Sequence, residues 1–183
     1  MVDKMTKSFL YFAYGSNLLA QRIHINNPSA VRKEIGKLED YRLDFGGPYS
    51  NSWGGCPATV VPHGGKHVWG AIWEINNSDI LYLDQQEGVH KNIYFPIEVC
   101  IETLSGGKIN CRSYQLCATP KALGDGEILP KERQPSQIYL EVIIKGAIES
   151  ALPSTYIEEL KRIPNNGNKG TMETPISFPC KFS

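Results

Sequence analysis

The turn Gly15-Ser16-Asn17 is the first segment whose residue types could support chemistry. It interrupts the apolar and aromatic run of residues 9–14, and a helix-like pattern follows at once. A strand, a tight turn and a helix N-terminus would place backbone N–H groups, a hydroxyl and an amide in one small space, with no acidic side chain in the turn itself. The pattern therefore predicts a site for a carboxylate or a phosphate. The alternative, in which Ser16 or Asn17 only caps the helix, stays open.

Glu87 is the strongest ionisable candidate. It precedes Gly88, which suits the left-handed position that ends many helices, so a helix is expected to end here. The negative end of the helix dipole disfavours an ionised carboxylate, and apolar neighbours such as Val89 or Tyr94 would raise its pKa further towards neutrality. A carboxyl group with such a pKa can accept a proton and return it. An exposed glutamate at a helix end is the alternative interpretation.

Other polar residues support weaker hypotheses. Ser16 is not in a G-x-S-x-G motif, so a role as nucleophile is disfavoured. Among the four histidines, only His63 and His67 have a spacing like that of metal ligands, and they flank a Gly-Gly turn that is expected to face solvent. The sequence therefore predicts neither a metal nor another cofactor.

Composition limits the possible partners and the cellular location. The chain has 183 residues and a formal net charge of +0 with no basic run, so nucleic-acid binding is not expected. Five cysteines without a C-x-x-C pair favour reduced thiols and a cytoplasmic location. No signal peptide is apparent, and no run approaches the roughly 18 apolar residues of a membrane span.

The elements that must position these residues are mostly strands early in the chain and helices late. Strands are predicted at residues 8–13, 30–38, 41–45, 58–61, 67–75, 94–102 and 108–116, with 58–61 and 67–75 forming a hairpin around His63-Gly64-Gly65. Helices are predicted at 17–26, 80–87, 137–151 and 154–163, with a long polar excursion at 118–136. About six strands with few helices predict an α+β fold built on a small β-barrel. Residues 1–7 are expected to be flexible, 8–163 to form a single domain, and 164–183 to be a partly disordered tail.

The strand-turn motif and the glutamate motif together resemble the γ-glutamylcyclotransferase family. The two segments are Phe12-Ala13-Tyr14-Gly15-Ser16-Asn17-Leu18-Leu19 and Leu83-Asp84-Gln85-Gln86-Glu87-Gly88-Val89. The resemblance continues from about residue 8 to residue 163, with an insertion near 121–134. It implies a small β-barrel with flanking helices and a homodimer.

The resemblance also implies a reaction in glutathione metabolism. The α-amine of a γ-glutamyl-amino acid would attack its own γ-carbonyl, which releases 5-oxoproline and a free amino acid. Glu87 would act as general base and then as general acid. No metal and no enzyme nucleophile are needed, because the nucleophile belongs to the small-molecule substrate. The substrate-binding residues that the resemblance implies are Tyr11, Phe12, Ala13, Tyr14, Gly15, Ser16, Asn17, Tyr94 and Tyr139.

Two alternatives to this function stay open. A related cyclotransferase could act on γ-glutamylamines or on glutathione itself with a similar glutamate. A non-enzymatic binding protein could also have kept the same fold.

Overall fold

A closed five-stranded barrel forms the body of the computed structural model, which describes residues 7–176. The strands are β1 (Ser8–Ala13), β2 (Val31–Phe45), β3 (Ala58–Asn76), β4 (Tyr94–Thr103) and β5 (Lys108–Leu116), in the order β1-β3-β2-β4-β5. All neighbouring pairs are antiparallel except β1 and β5, whose parallel contact closes the barrel. The helices are α1 (Ala20–Ile23), α2 (Ile80–Gln86), α3 (Gln137–Glu149) and α4 (Ser154–Lys161). The α+β barrel is confirmed, with five strands instead of about six.

The strand count is lower because two pairs of predicted strands each form one continuous strand. Residues 30–38 and 41–45 form the single strand β2, which bends at Asp40 with a left-handed φ of 59°. The predicted hairpin between 58–61 and 67–75 is wrong, because both segments belong to β3 and pair with β2 rather than with each other. The glycines that indicated a turn form an irregularity within a long strand, where the Gly65 N–H donates to Asp40 at 2.9 Å.

Strand β1 carries the chain to the turn at Gly15. It pairs with β3 from Ser8 to Ala13, where Ala13 lies opposite Ala71. A Cβ atom at Gly70 would lie 2.4 Å from the Ala13 carbonyl oxygen and 2.6 Å from the Phe12 ring. Only glycine at position 70 therefore lets β1 lie this near to β3.

The helical segment after the turn is shorter than predicted. A 3-10 helix, Ser16–Leu18, is followed by the four-residue α1, and the extended backbone of Leu19 separates them. Gly15 is the N-cap residue of the first helix, and no side chain makes a capping hydrogen bond there. Because the dipole of such short helices is small, the turn offers individual N–H donors rather than a helix dipole.

The long excursion and α3 close the barrel on the side of the turn. Arg133 donates to the Phe45 carbonyl at 3.0 Å and pairs with Asp44, which anchors the excursion to the end of β2. Ser136 then caps α3 by accepting the Tyr139 N–H at 3.1 Å. This cap fixes the first turn of α3, and with it the direction of the Tyr139 ring.

The described part of the predicted tail, residues 164–176, lies against the body of the protein. Asn166 donates to the Gly54 carbonyl at 2.8 Å, Thr174 donates to the Ser52 carbonyl at 3.0 Å, and Ile176 is buried. Residues 1–6 of the predicted flexible N-terminus and 177–183 of the predicted tail lie outside the described residues. No helix within 7–176 has the length and apolar character needed to cross a membrane.

Candidate active site

A cavity opens where β1 and α2 end, beside the first turn of α3. Its inner part is about 30 Å³ and its outer cleft about 480 Å³, and both are lined by Ser16, Glu87, Tyr94 and Tyr139. Eight of the ten residues predicted from the sequence line the inner part: Tyr11, Tyr14, Gly15, Ser16, Asn17, Glu87, Tyr94 and Tyr139. The turn and the glutamate, 70 positions apart, therefore lie at one site.

Phe12 and Ala13 do not line the cavity. Both side chains are fully buried in the hydrophobic core, and the Phe12 ring lies against the backbone at Gly70. The prediction treated the whole strand end as binding surface. The structure assigns these two positions to packing, because the last residues of β1 are buried in the hydrophobic core.

Glu87 ends α2 as expected from Gly88, whose φ of 66° is left-handed. Burial raises the pKa of the Glu87 carboxyl to about 7, with opposition from Arg22 and a smaller contribution from Asp84. The sequence predicted this direction, although the neighbours are buried phenols more than aliphatic groups. A carboxyl group of this pKa is divided between its protonated and ionised forms near neutrality, which suits proton transfer in both directions.

Asn17 joins the turn to Glu87. Its amide nitrogen lies 3.3 Å from Glu87 Oε1 and 3.1 Å from the Tyr11 hydroxyl, and its oxygen accepts from Gln86 at 3.1 Å. The Asn17 side chain therefore makes these contacts and does not cap the helix, as the alternative interpretation had proposed. They also place an acidic side chain next to the turn, which local sequence did not indicate.

Two tyrosines hold the opposite wall of the cavity through Ala58. The Tyr94 hydroxyl donates to the Ala58 carbonyl, and the Tyr139 hydroxyl accepts the Ala58 N–H at 3.1 Å. Burial raises the pKa of both phenols well above neutrality, so they are uncharged. The Tyr139 O–H proton is not used in the contact with Ala58 and can be donated to a ligand.

Tyr11 and Tyr14 complete the inner wall with Tyr114 of β5. The Tyr14 hydroxyl donates to the Tyr114 carbonyl at 2.6 Å, and the Tyr11 ring meets the Tyr114 ring edge-on at 6.0 Å. Burial also raises the pKa values of Tyr11 and Tyr14. The inner cavity is therefore lined by neutral phenols around a single carboxyl group.

Sequence reasoning did not name several residues of the cavity, among them Arg22, Ala58, Gln86 and Tyr114. Of these, only Arg22 could have been noticed in the sequence. It lies on a predicted helical face with Leu18 and Ile25, and arginine is rarely buried unless it is paired. Ala58 and Tyr114 come from strands whose local pattern says nothing about a cavity. Within residues 7–176, no cluster of three or more His, Cys, Asp or Glu side chains is arranged to hold a metal ion.

Comparisons with known proteins show the family and the fold. Residues 67–160 match the AIG2-like family. A γ-glutamylcyclotransferase from Bos taurus is 44% identical over 173 residues, which cover 93% of this chain and 86% of that protein. One from Homo sapiens is 42% identical with the same coverage. A solved structure of a γ-glutamyl cyclotransferase superposes with a TM-score of 0.80 at 42% identity and covers 90% of this chain and 92% of that one.

The chain belongs to the γ-glutamylcyclotransferase family. This membership confirms the family resemblance and the cyclotransferase type of enzyme that it implies. The roles of Glu87, of the turn and of the tyrosines stay predictions.

Proposed function

We propose that this chain converts a γ-glutamyl-amino acid into 5-oxoproline and a free amino acid by intramolecular aminolysis. One observation carries the proposal: a single carboxyl group with a pKa of about 7 lies beside a turn of backbone donors in an otherwise uncharged inner cavity. A reaction whose nucleophile belongs to the substrate needs no more than a proton carrier and a site for a developing oxyanion.

Glu87 is the proton carrier in this proposal. Its ionised form takes a proton from the α-ammonium group, and the freed amine then bonds to the γ-carbon. When the bond from that carbon to the leaving nitrogen breaks, the protonated Glu87 supplies a proton to the leaving group. Overall the attacking nitrogen gives up two protons and the leaving nitrogen gains two. Glu87 transfers one of them and water exchanges the other, so the reaction needs no second catalytic side chain.

The turn is the proposed oxyanion site. Within residues 7–176, the Gly15 and Ser16 N–H groups have no protein acceptor. The inner cavity, about 30 Å³, has roughly the volume of one water molecule. We therefore place the γ-carbonyl oxygen in this small inner part and the rest of the glutamyl group in the outer cleft.

Tyr94 and Tyr139 are proposed to orient the reacting atoms. Because Tyr94 donates its proton to Ala58, its oxygen can accept from the substrate ammonium. Because Tyr139 accepts from Ala58, its proton can be donated to a substrate oxygen. One wall of the cavity thus offers the substrate an acceptor, the Tyr94 oxygen, and a donor, the Tyr139 hydroxyl.

The test is a substrate panel with product identification. Purified protein is incubated with γ-glutamyl-alanine, glutathione and γ-glutamyl-ε-lysine, and 5-oxoproline is quantified by mass spectrometry. The proposal expects γ-glutamyl-alanine to have the highest kcat/KM. Preference for either other substrate would assign the chain to a related cyclotransferase, and absence of 5-oxoproline from all three would support a binding protein of the same fold.

We also propose a cytoplasmic homodimer that functions in glutathione metabolism. The cytoplasmic location is supported by the cysteines of the described residues, Cys56, Cys100, Cys111 and Cys117, all of which are free thiols. Sedimentation equilibrium would test the dimer: a mass near twice 20.4 kDa is expected, and a monomer would contradict it.

A further inference from the structure

Arg22 is a buried cation that faces the outer cleft. Its exposed fraction is 7%, and it lines the cleft with Ser16, Glu87 and Tyr139. Within residues 7–176, its Nε atom has no hydrogen-bond partner, and its guanidinium takes part in no salt bridge. Its guanidinium carbon lies 5.8 Å from the centre of the Trp53 ring.

A buried charge without a partner destabilises the protein on its own. Burial lowers the pKa of the Arg22 guanidinium, and Glu87 opposes that change. Arginine nevertheless stays charged at neutral pH, because its ordinary pKa is so high. Removing a guanidinium from water without pairing it is unfavourable, so its exposure to a cleft indicates that an anion arrives with the ligand. The planar fork of arginine matches a carboxylate in particular, because two parallel hydrogen bonds can form.

We propose that Arg22 binds the α-carboxylate of the γ-glutamyl group, an inference that rests on the proposed function. The α-carboxylate and the attacking α-amine are bonded to the same carbon atom. If Glu87 takes a proton from that amine, the carboxylate must lie close to Glu87. Arg22 is the cation that acts most strongly on Glu87, and it lines the same cleft. The position required by the substrate's covalent structure is therefore the position that Arg22 occupies.

The second carboxylate of the substrate belongs to the acceptor amino acid, whose side chain varies. That part needs room, which the exposed lining residues of the cleft, Tyr49, Asn51 and Lys91, can supply. The constant glutamyl part suits the enclosed side, where Arg22 lies. The two products separate the two carboxylates, because 5-oxoproline keeps the α-carboxylate and the free amino acid keeps the other.

The experiment compares wild type with Arg22→Gln and Arg22→Lys. Measurements are kcat and KM for γ-glutamyl-alanine, and dissociation constants of 5-oxoproline and alanine from NMR titration. Loss of a charge-assisted pair predicts an increase of about 10- to 100-fold in KM and in the 5-oxoproline dissociation constant for Arg22→Gln. The alanine dissociation constant is expected to stay unchanged, and Arg22→Lys to give intermediate values because it keeps the charge without the fork.

Arg32→Gln is the matched control. The Arg32 guanidinium also stacks on a tryptophan, 4.4 Å from the centre of the Trp73 ring, but it is paired with Glu149 and the Leu18 carbonyl and does not line the cleft. We expect this variant to keep wild-type kinetics and lose thermal stability. Arg22→Gln should instead keep or raise Tm, because it removes an unpaired buried charge.

Two results would overturn the inference. An increase in the alanine dissociation constant in place of that of 5-oxoproline would assign Arg22 to the acceptor carboxylate. A lower Tm with an unchanged 5-oxoproline dissociation constant would show that Arg22 has a structural role. If Arg22→Gln fails to fold, the same two measurements on Arg22→Lys make this test. Absence of turnover by wild type would contradict the proposed function instead, and the 5-oxoproline titration would still test Arg22.

Discussion

Asp84 and Glu87 lie about one turn apart at the end of α2, and their surroundings differ completely. Asp84 accepts hydrogen bonds from Arg112 at 2.7 Å and from the Tyr114 hydroxyl. Within residues 7–176, the Glu87 carboxyl accepts one side-chain hydrogen bond, from Asn17 at 3.3 Å, and burial raises its pKa to about 7. The hydrogen bonds and the ion pair of Asp84 give it a structural role, whereas the poorly paired, buried Glu87 can exchange a proton.

The difference arises from the strands and not from the helix. β5 supplies Arg112 and Tyr114 to the side of α2 that carries Asp84, while the end of the helix projects Glu87 towards the turn after β1. The comparison predicts that substitutions at Glu87 change chemistry and that substitutions at Asp84 change stability and the pKa of its neighbour.

Glu87→Gln has the largest expected effect. The side chain keeps its size but can no longer accept a proton, so kcat should fall by roughly 10²- to 10⁴-fold. Initial rates of 5-oxoproline formation would show this, with circular dichroism to confirm an unchanged fold. Full activity of this variant would contradict the proposed role of Glu87.

Asn17→Asp should move the Glu87 titration upwards. A second carboxylate within hydrogen-bonding distance disfavours ionisation of Glu87, so the acid limb of the kcat/KM profile should shift above pH 7 and activity at neutral pH should fall about tenfold. Asn17→Ser, which adds no charge, is the control. If the acid limb of the kcat/KM profile does not shift in Asn17→Asp, the limb reports the titration of a group other than Glu87.

Asp84→Asn should shift the same limb in the opposite direction by a smaller amount. It removes a negative charge that raises the Glu87 pKa and leaves Arg112 without its anion. Kinetics as a function of pH should show a limb below 7, and thermal unfolding should show a lower Tm. An upward shift would contradict the electrostatic account of the pair.

The smallest of the four predicted effects is on stability: the free energy of unfolding should depend on pH through Glu87. Because its pKa is about 7 in the folded protein and ordinarily 4.5, the folded state binds the extra proton between these values. Wild type should therefore lose stability as pH rises from about 4.5 to 7, and Glu87→Gln should not lose this contribution. Chemical denaturation gives the free energy of unfolding of both proteins at pH 5 and pH 8. The value for Glu87→Gln relative to wild type should be higher at pH 8 than at pH 5 by on the order of 2 kcal/mol. An equal difference at both values would refute the linkage.

Local signals explain which parts of the fold could be predicted. Turn or cap residues directly follow β1, α2 and β4, and these elements were predicted close to where the structure has them. The glycines at 64 and 65 carry a similar signal, yet they lie within β3 because pairing with β2 continues on both sides of them. Pairing along a whole strand outweighs the preference of a few residues.

By itself the sequence determined the two halves of the candidate site: a donor-rich turn after a buried strand, and a glutamate at a helix end. These follow from patterns over a few residues. Only the tertiary structure decided that the halves meet, that Phe12 and Ala13 belong to the core, and that Arg22 lines the cleft without a salt bridge to any other residue in 7–176. Burial and charge pairing set the pKa of Glu87, and both depend on strands and helices far from it in sequence.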